Sequence, residues 1–482
     1  MNFVEECSLK FVAEACGGEI RRGAAETLVD NVCTDSRQAR PGDLFFALRG
    51  GKFDGHDFLD EVAAKKVAAV AIEKSKVQSP KSKVTADVPT LVVDDARIAL
   101  GKLAAAYRRQ FDLPIVCVAG SNGKTTVKEL LASVLRQKFS ALASEASFNN
   151  DIGVPLTLLR LEKKHRVAVL EAGTNHPGEL APLVQMIRPK FGVLTNVGRE
   201  HLEYFGDVAG VAHEEGALAE LLPADGKLFV NGDNVWTEKI VARTKAQIVR
   251  VGLGKENDWH AEKIRLDKNG VAFRVVSGEG VQPAQTGKMP VPPNDFGGEY
   301  RINLLGRHQA VNALFAIAVG AELGLSRAEI QDGLMECKPP KMRLQFWEAN
   351  GVRVLDDAYN ANADSTIAAL ETLCDLPLQG RRVAVLGDME ELGAHSEAAH
   401  MEVGKRAAEL KIGQLFAVGK MAPVTARAAR DGGLTRVIEF ENVEAAVRAV
   451  RSFLKAGDVV LLKASRASRL ERIAEILRAE KS

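Results

Sequence analysis

Between Ile115 and Leu131 an apolar run, a glycine loop and a helix start follow one another as Ile-Val-Cys-Val-Ala-Gly-Ser-Asn-Gly-Lys-Thr-Thr-Val-Lys-Glu-Leu-Leu. This order demands a strand-loop-helix unit. Such a unit aims a ring of backbone N–H groups at one point, where Lys124 adds a compact positive charge and Thr125 offers a hydroxyl suited to Mg²⁺. A nucleoside triphosphate is the expected guest. The match to the general phosphate-loop pattern is incomplete, because Val118 occupies the position six residues before Lys124 where glycine is usual. The β-branched residues Ile115, Val116 and Val118, with no helix breaker through Leu135, supply the context that a chance Gly-Lys-Thr turn lacks.

The chain has 482 residues, too many for one core, and a prior of roughly 150 residues per domain suggests about three. A net charge of +1 gives no electrostatic reason to expect nucleic acid or a membrane surface as partner. The cysteines Cys7, Cys16, Cys33, Cys117, Cys337 and Cys374 lie far apart with no C-x-x-C spacing, which speaks against a disulfide framework or a zinc site. Two acids occur in Met1 to Cys7, where a signal peptide would be basic and then apolar, and no stretch approaches the length of a membrane span. A cytoplasmic protein is expected.

Three α/β segments can be traced. Residues 1–111 mix short strands (Asp43 to Leu48, Ala68 to Ile72, Thr90 to Val93) with helices, the last from Ala96 to Arg109 and stopped by Pro114. In residues 112–340, apolar strands at Val167 to Leu170, Phe191 to Thr195, Lys227 to Asn231 and Ile248 to Val251 alternate with helical stretches, as in a mostly parallel sheet with covering helices. Between His260 and Gly306 the pattern becomes antiparallel, punctuated by Val291-Pro292-Pro293-Asn294, before a helix from Gln309 to Leu323. Lys338-Pro339-Pro340 is the linker candidate. Residues 341–482 repeat the alternation with strands at Val352 to Asp356, Arg382 to Leu386, Leu415 to Val418, Arg436 to Ile438 and Val459 to Lys463.

Strand ends carry the candidate chemistry. Val167 to Leu170 leads to Glu171, where a Mg²⁺ ligand would sit, although a lone strand-end carboxylate is as often merely solvated. Phe191 to Thr195 leads through Asn196 to His201, again bland if taken alone. Together with Lys124 and Thr125 they converge on one carboxyl-end rim, where open α/β sheets bind ligands. The tract Ser147 to Pro155 offers the amides of Asn149 and Asn150 to a polar ligand or to its own backbone. His308 and Asn312 lie four apart on one helix face, toward a base or toward a core. Arg343 is a guanidinium able to reach a phosphate, Asp356 and Asp357 suit ribose hydroxyls or a cation, and Lys463-Ala464-Ser465-Arg466 adds basic charge at another strand end.

Taken in order, Gly120-Ser121-Asn122-Gly123-Lys124-Thr125-Thr126, Glu171-Ala172-Gly173, Asn196-Val197 with His201-Leu202, Gly306-Arg307-His308 with Asn312, Arg343 and Asp356-Asp357-Ala358-Tyr359-Asn360-Ala361-Asn362 resemble the Mur ligase family over nearly the whole chain. Asp35-Ser36-Arg37 with Pro41 to Leu48 and Asp54 to Phe58 is similar to the N-terminal nucleotide-sugar domain of its MurE and MurF types. The Asp356 to Asn362 tract and Leu386 to Gly393 point to the MurF type. The resemblance implies an N-terminal UDP-sugar-binding domain, a central P-loop ATPase-like parallel sheet and a C-terminal Rossmann-like domain. It also implies ATP-driven amide synthesis through an acyl phosphate, with UDP-N-acetylmuramoyl-tripeptide and D-Ala-D-Ala as small-molecule substrates and the protein acting as a monomer.

By the same resemblance, Gly120 to Thr126, His308, Asn312, Arg343, Asp356 and Asp357 serve ATP, and Lys124, His201 and Arg343 act in catalysis. Thr125, Glu171, His201 and Glu215 hold Mg²⁺, and Ser36, Arg37, Asn149, Asn150, Tyr359 and Asn360 bind substrate. Two positions depart from the family pattern: Glu215 stands where a carbamoylated lysine is usual and Gln309 where asparagine is common. Glutamate can supply a carboxylate without CO₂, though on a shorter side chain. Competing readings are another Mur-type ligase, diamino-acid-adding or folylpolyglutamate-like, and a nucleotide-binding scaffold without turnover. Rotation about Pro339-Pro340 should bring Arg343 and Asp357 to the ATP of Lys124, so an unliganded chain is expected to be open.

Overall fold

The computed structural model describes residues 7–77, 88–277, 296–377 and 379–479 as an α/β protein. The Val291 to Asn294 punctuation and the opening Met1 to Glu6 lie outside the described residues. The chain groups into two units, one formed by residues 1–117, 139–174 and 179–191, the other by residues 118–138, 175–178 and 192–482.

In the first unit, five strands lie in the order Glu19–Arg22, Thr90–Val93, Ala69–Glu73, Asp43–Phe46, Asn31–Cys33. All neighbours are parallel except the first pair. The parallel strands are buried along their length, so they read as continuous apolar runs, and Phe45, Leu59, Val62 and Ile72 fill the core beside them. Helix Ala96–Arg108 begins where the Asp95 carboxylate accepts the Ile98 N–H at 2.9 Å and buries Leu100, Leu103 and Tyr107. Arg108 ends it, its guanidinium donating to the Phe111, Leu113 and Ile187 carbonyls. Strand Val167–Glu171 runs parallel to Ala141–Ala143, and its Ala168 N–H donates to the Pro114 carbonyl at the entrance to strand Ile115–Ala119.

In the second unit, Thr195 donates its N–H to the Ala119 carbonyl, which binds the exit of strand Ile115–Ala119 to the end of strand Phe191–Leu194. Lys227–Asn231, Gln247–Gly252 and Trp259–Asp267 follow in parallel. Gly270–Ser277 and Gly298–Ile302 then reverse direction, the antiparallel excursion expected after His260. Helices Gln309–Glu322 and Arg327–Glu336, the second closed by a Ser326/Glu329 capping box, pack on helix Lys124–Leu135. The same unit contains a six-stranded sheet in the order Gln345–Ala349, Val352–Asp357, Val459–Lys463, Arg382–Gly387, Gln414–Val418, Val437–Phe440. Only the edge strand Gln345–Ala349 is antiparallel. Val354, Val385, Phe416 and Leu462 form its core beneath helices Val443–Phe453 and Glu471–Ala479.

Candidate functional site

The loop after Ala119 turns on two glycines in the left-handed region, Gly120 at φ +114° and Gly123 at φ +87°. A Cβ on Gly120 would lie 2.4 Å from Thr195 Oγ1 and 2.8 Å from the Asn196 carbonyl, and one on Gly123 would lie 2.9 Å from Asn312 Oδ1 and force it to shift. The loop is held from the next strand: Asn196 accepts the Ser121 N–H on its carbonyl and the Asn122 N–H on Oδ1, at 2.9 and 2.8 Å. Ser121 Oγ in turn accepts the Gly198 N–H at 2.8 Å. These bonds fix the loop that presents Lys124 at the start of its helix.

Lys124 Nζ donates to the Gly120 and Ser121 carbonyls and pairs with Glu200 Oε2 at 3.3 Å. Glu200 is buried, which pushes its carboxyl pKa up, while Lys124 and His201 pull it down. His201 adopts φ +50°, places Nε2 3.8 Å from Glu200 Oε2 and bonds through Nδ1 to Glu391 Oε2 at 2.5 Å. Glu215 is fully enclosed on helix Val208–Leu221. Burial drives its pKa up to about 8 against the pull of Lys124, with Glu200 and Glu214 adding to the rise. The Gly120 N–H leans toward this carboxylate, yet neither oxygen completes a hydrogen bond.

A cavity of about 240 Å³ opens beside the loop. Asn122, Gly123 and Thr126 form one side, His308 and Asn312 from the Gln309 helix a second, and Arg343, Asp357 and Lys463 a third. Register explains the last pair: Asp357 and Lys463 are partners on adjacent parallel strands, and Lys463 Nζ lies 2.7 Å from Asp357 Oδ2. Asp357 Oδ1 accepts the Leu344 N–H at 3.0 Å, which tethers the segment carrying Arg343. The Arg343 guanidinium stacks on the Tyr359 ring at 4.5 Å from its centroid. Asn312 Nδ2 donates to Gln309 Oε1 at 2.7 Å, so Gln309 orients Asn312.

The expected pair Asp356/Asp357 is split. Successive strand residues face opposite ways, and Asp356 turns from the cavity to Arg478 NH2 at 3.3 Å, a structural ion pair rather than a nucleotide contact. Asn360 lends its carbonyl to Lys463 Nζ and its Oδ1 to the Ala361 N–H. The open arrangement expected without ligand is also absent. Asn362 Nδ2 donates to Asn122 Oδ1 at 3.0 Å, and Arg199 is gripped by Asp364 and Glu402, which joins the 341–479 segment to the phosphate loop.

In the first unit, Glu171 is buried, with Oε1 accepting Asn149 Nδ2 at 2.8 Å and Oε2 left without a partner. Asn150 serves its own backbone, accepting the Ile152 and Gly153 N–H groups. A cavity of about 440 Å³ lies between Asp35, Gln38 and Arg40 on one side and Phe148, Thr157 and Arg160 on the other. Ser36 and Arg37 flank it, the guanidinium tied to Asp35 at 2.9 and 2.7 Å.

Thr125 Oγ1, Glu171 Oε2 and both Glu215 oxygens are buried without partners. Such groups are costly unless something else satisfies them, and all are hard oxygen donors that suit Mg²⁺. Among the described residues no three His, Cys, Asp or Glu side chains form a metal cage. Sequence reasoning missed Glu200, Asp364 and Glu391 as site residues. Only their place in the Asn196 to Glu203, Asp356 to Asn362 and Leu386 to Gly393 neighbourhoods could have pointed to them.

Known proteins resemble this chain along its whole length. Residues 28–108 match the Mur ligase family catalytic domain, 118–320 the Mur ligase middle domain and 342–466 the Mur ligase glutamate ligase domain. The chain is 35% identical to the UDP-N-acetylmuramoyl-tripeptide--D-alanyl-D-alanine ligase of Escherichia coli, covering 98% of each chain. It is 32% identical to the ligase of the same name from Bacillus subtilis, also over 98% of each. MurF from Acinetobacter baumannii superposes with a TM-score of 0.86 at 30% identity, over 99% of this chain and 100% of that one. MurF from Thermotoga maritima in complex with ADP gives 0.77 at 27% identity, over 93% and 97%. With three domain models matched along its length and relatives of this kind end to end, the chain belongs to the Mur ligase family.

Proposed function

We propose that this chain is an ATP-dependent amide ligase that adds D-Ala-D-Ala to UDP-N-acetylmuramoyl-tripeptide in cytoplasmic peptidoglycan precursor synthesis. The observation that carries the reading is the cavity walled by Asn122, Gly123 and Thr126 of the phosphate loop, by Asn312, and by Arg343 and Asp357 of the C-terminal sheet rim. The relatives' names support the two substrates, and the ADP-bound relative supports the nucleotide. Domain boundaries near 111 and 340 fit the gaps between the matched family segments.

In this reading Lys124 and Arg343 neutralise the triphosphate, and Asn312 and His308 border the adenine. Asp357, held by Lys463, faces the ribose. The 440 Å³ cavity beside Ser36, Arg37 and Asn149 takes the UDP-sugar end, and Tyr359 and Asn360 serve the peptide. A tripeptide carboxylate oxygen attacks the γ-phosphorus, releasing ADP and forming an acyl phosphate. The D-Ala-D-Ala amine attacks the acyl carbon, and the tetrahedral intermediate expels phosphate and loses the amine proton to give the amide. Positioning and charge neutralisation do most of this, which suits a site without a nucleophile-base pair. Thr125 on the phosphate loop and Glu171 at its own strand end would each serve as a Mg²⁺ ligand, as would His201 and Glu215; when bound, the metal would offset phosphate charge as it moves to the leaving group.

The test is incubation of the protein with ATP, UDP-muramoyl-tripeptide and D-Ala-D-Ala, together and with each omitted. ADP release that needs both co-substrates supports the ligase, and nucleotide binding without turnover rejects it. No helix among the described residues is long and apolar enough to cross a membrane.

A further inference from the structure

Glu391 and His201 lie 190 positions apart in the chain, and both are non-glycine residues in the left-handed region, at φ +59° and +50°. That conformation is strained for a residue with a side chain and persists only where the surroundings impose it. Here each imposes it on the other. The Glu391 carboxylate meets His201 Nδ1 at 2.5 Å, and the Glu391 carbonyl accepts the Glu203 N–H at 3.0 Å, so one residue grips the His201 turn at side chain and backbone together. The Glu391 loop is fixed in turn: Glu390 donates its N–H to Ser465 Oγ at 2.9 Å, and Met389 donates its N–H to His400 Nε2 at 3.1 Å. His400 Nδ1 is 2.7 Å from the Ser396 carbonyl, so its proton is on Nδ1 and Nε2 is free to accept.

The chemistry of the pair decides the tautomer. An ionised carboxylate can only accept, so His201 carries its proton on Nδ1 and leaves Nε2 as a lone-pair donor on the side of Glu200 and Lys124. Tyr204 donates its N–H to the His201 carbonyl at 2.9 Å and packs its ring on His176 at 4.3 Å, so it does not compete for Nδ1. We propose that Glu391 is a positioning residue that locks His201 in this tautomer and orientation when the C-terminal segment is docked, so that the phosphate end of the site is complete only in the docked state. The proposal rests on the reading of His201 as a site residue. Its consequence is that docking is sensed at the imidazole, through Glu391, as well as at the cavity wall through Arg343.

The experiment uses the full chain with ¹⁵N-labelled histidine, the His201 signal being assigned by its loss in His201→Gln. The wild type should show Nδ1 protonated and Nε2 unprotonated at pH 8. Glu391→Gln and Glu391→Ala should shift His201 toward the other tautomer and lower kcat on the order of 10–100-fold, the usual cost of losing a group that orients a ligand histidine. KM for ATP should change less than threefold, and the Gln variant should retain more activity than Ala. Unchanged His201 nitrogen shifts in both variants, or a kcat within twofold of wild type in both, would overturn the proposal. A melting midpoint for Glu391→Gln equal to wild type separates the effect from misfolding. Absence of amide formation by the wild type would count against the ligase reading, while the tautomer measurement would still judge Glu391.

Discussion

Lys124 and Glu200 form an ion pair at 3.3 Å in which both side chains are largely shielded, with relative exposures of 13% and 10%. The Lys124 cation therefore already has a buried counter-charge. Removing one partner of such a pair leaves the other uncompensated in a poorly solvated place, at a cost of about 3 kcal/mol or more.

Lys124→Ala should lower turnover by about 10²–10³-fold, the scale of losing one preorganised charge-stabilising donor. It should also lower the melting midpoint more at pH 8 than at pH 5. Without Lys124, the raised pKa of Glu200 rises further, so the carboxyl takes up a proton more readily at the lower pH and there tolerates burial better. Lys124→Ala combined with Glu200→Gln should recover the pH 8 midpoint but not the activity. An equal loss of stability at both pH values would contradict the pairing.

Glu215 sets a second pH dependence. Its pKa stands near 8 in the metal-free fold against an ordinary 4.5, so between those values the folded chain holds a proton that the unfolded chain has lost. Its contribution to stability is therefore complete below pH 4.5, declines as pH rises and is gone above about 8. The melting midpoint of the metal-free protein should fall across that window, and Glu215→Gln should flatten the fall. Mg²⁺ binding with ATP should release a proton at pH 7 that the variant does not release, and bicarbonate should not change activity. Proton uptake by the buffer, measured in two buffers of different ionisation enthalpy, checks the release.

Buried parallel strands were readable because both faces are apolar: Thr90–Val93, Lys227–Asn231 and Val459–Lys463 have the bounds their runs suggest. Half-exposed edges such as Gln345–Ala349 and Glu19–Arg22 carry polar side chains at intermediate or open positions and left no such run. In the cavity wall, residues delivered by one local motif were legible, as Asn122, Gly123 and Thr126 illustrate. Glu391 was not, because its partner His201 is 190 residues away and the pairing depends on how two segments dock. Asp356 and Asp357 show the complementary limit: composition marks two acids, and strand alternation sends only Asp357 to the cavity.

Gly123 and Gly178 share a φ of +87°, yet their surroundings differ. A Cβ at Gly123 would press on Asn312 Oδ1 at 2.9 Å, whereas one at Gly178 would meet nothing within 4 Å. Both Gly→Ala changes should cost about 1 kcal/mol through backbone strain. Only Gly123→Ala should weaken ATP binding, by tenfold or more, since it also displaces Asn312 and the loop amides. Calorimetric titration of ATP into both variants distinguishes local strain from loss of the phosphate cradle; equal affinities would deny the loop its role.

Arg199 ties the phosphate-loop side to the C-terminal segment. Its backbone N–H and Nε each donate to Asp364 at 2.9 Å, and NH2 donates to Glu402 at 3.1 Å, so one guanidinium is shared by two carboxylates. Charge-assisted hydrogen bonds contribute about 1.5–3 kcal/mol when shielded, and partial exposure here reduces the sum to about 1–2 kcal/mol. That is small beside a whole interface but large enough to shift a docking equilibrium roughly tenfold. Arg199→Ala should therefore leave folding intact, raise the radius of gyration of the ligand-free protein in X-ray scattering and raise KM for ATP several-fold, because part of the binding energy must then re-dock the C-terminal segment. Saturating ATP with both co-substrates should return the scattering profile to that of the wild type. A variant whose radius of gyration and KM both match the wild type would show that Asn362, Glu391 and the cavity wall hold the segment in place without Arg199.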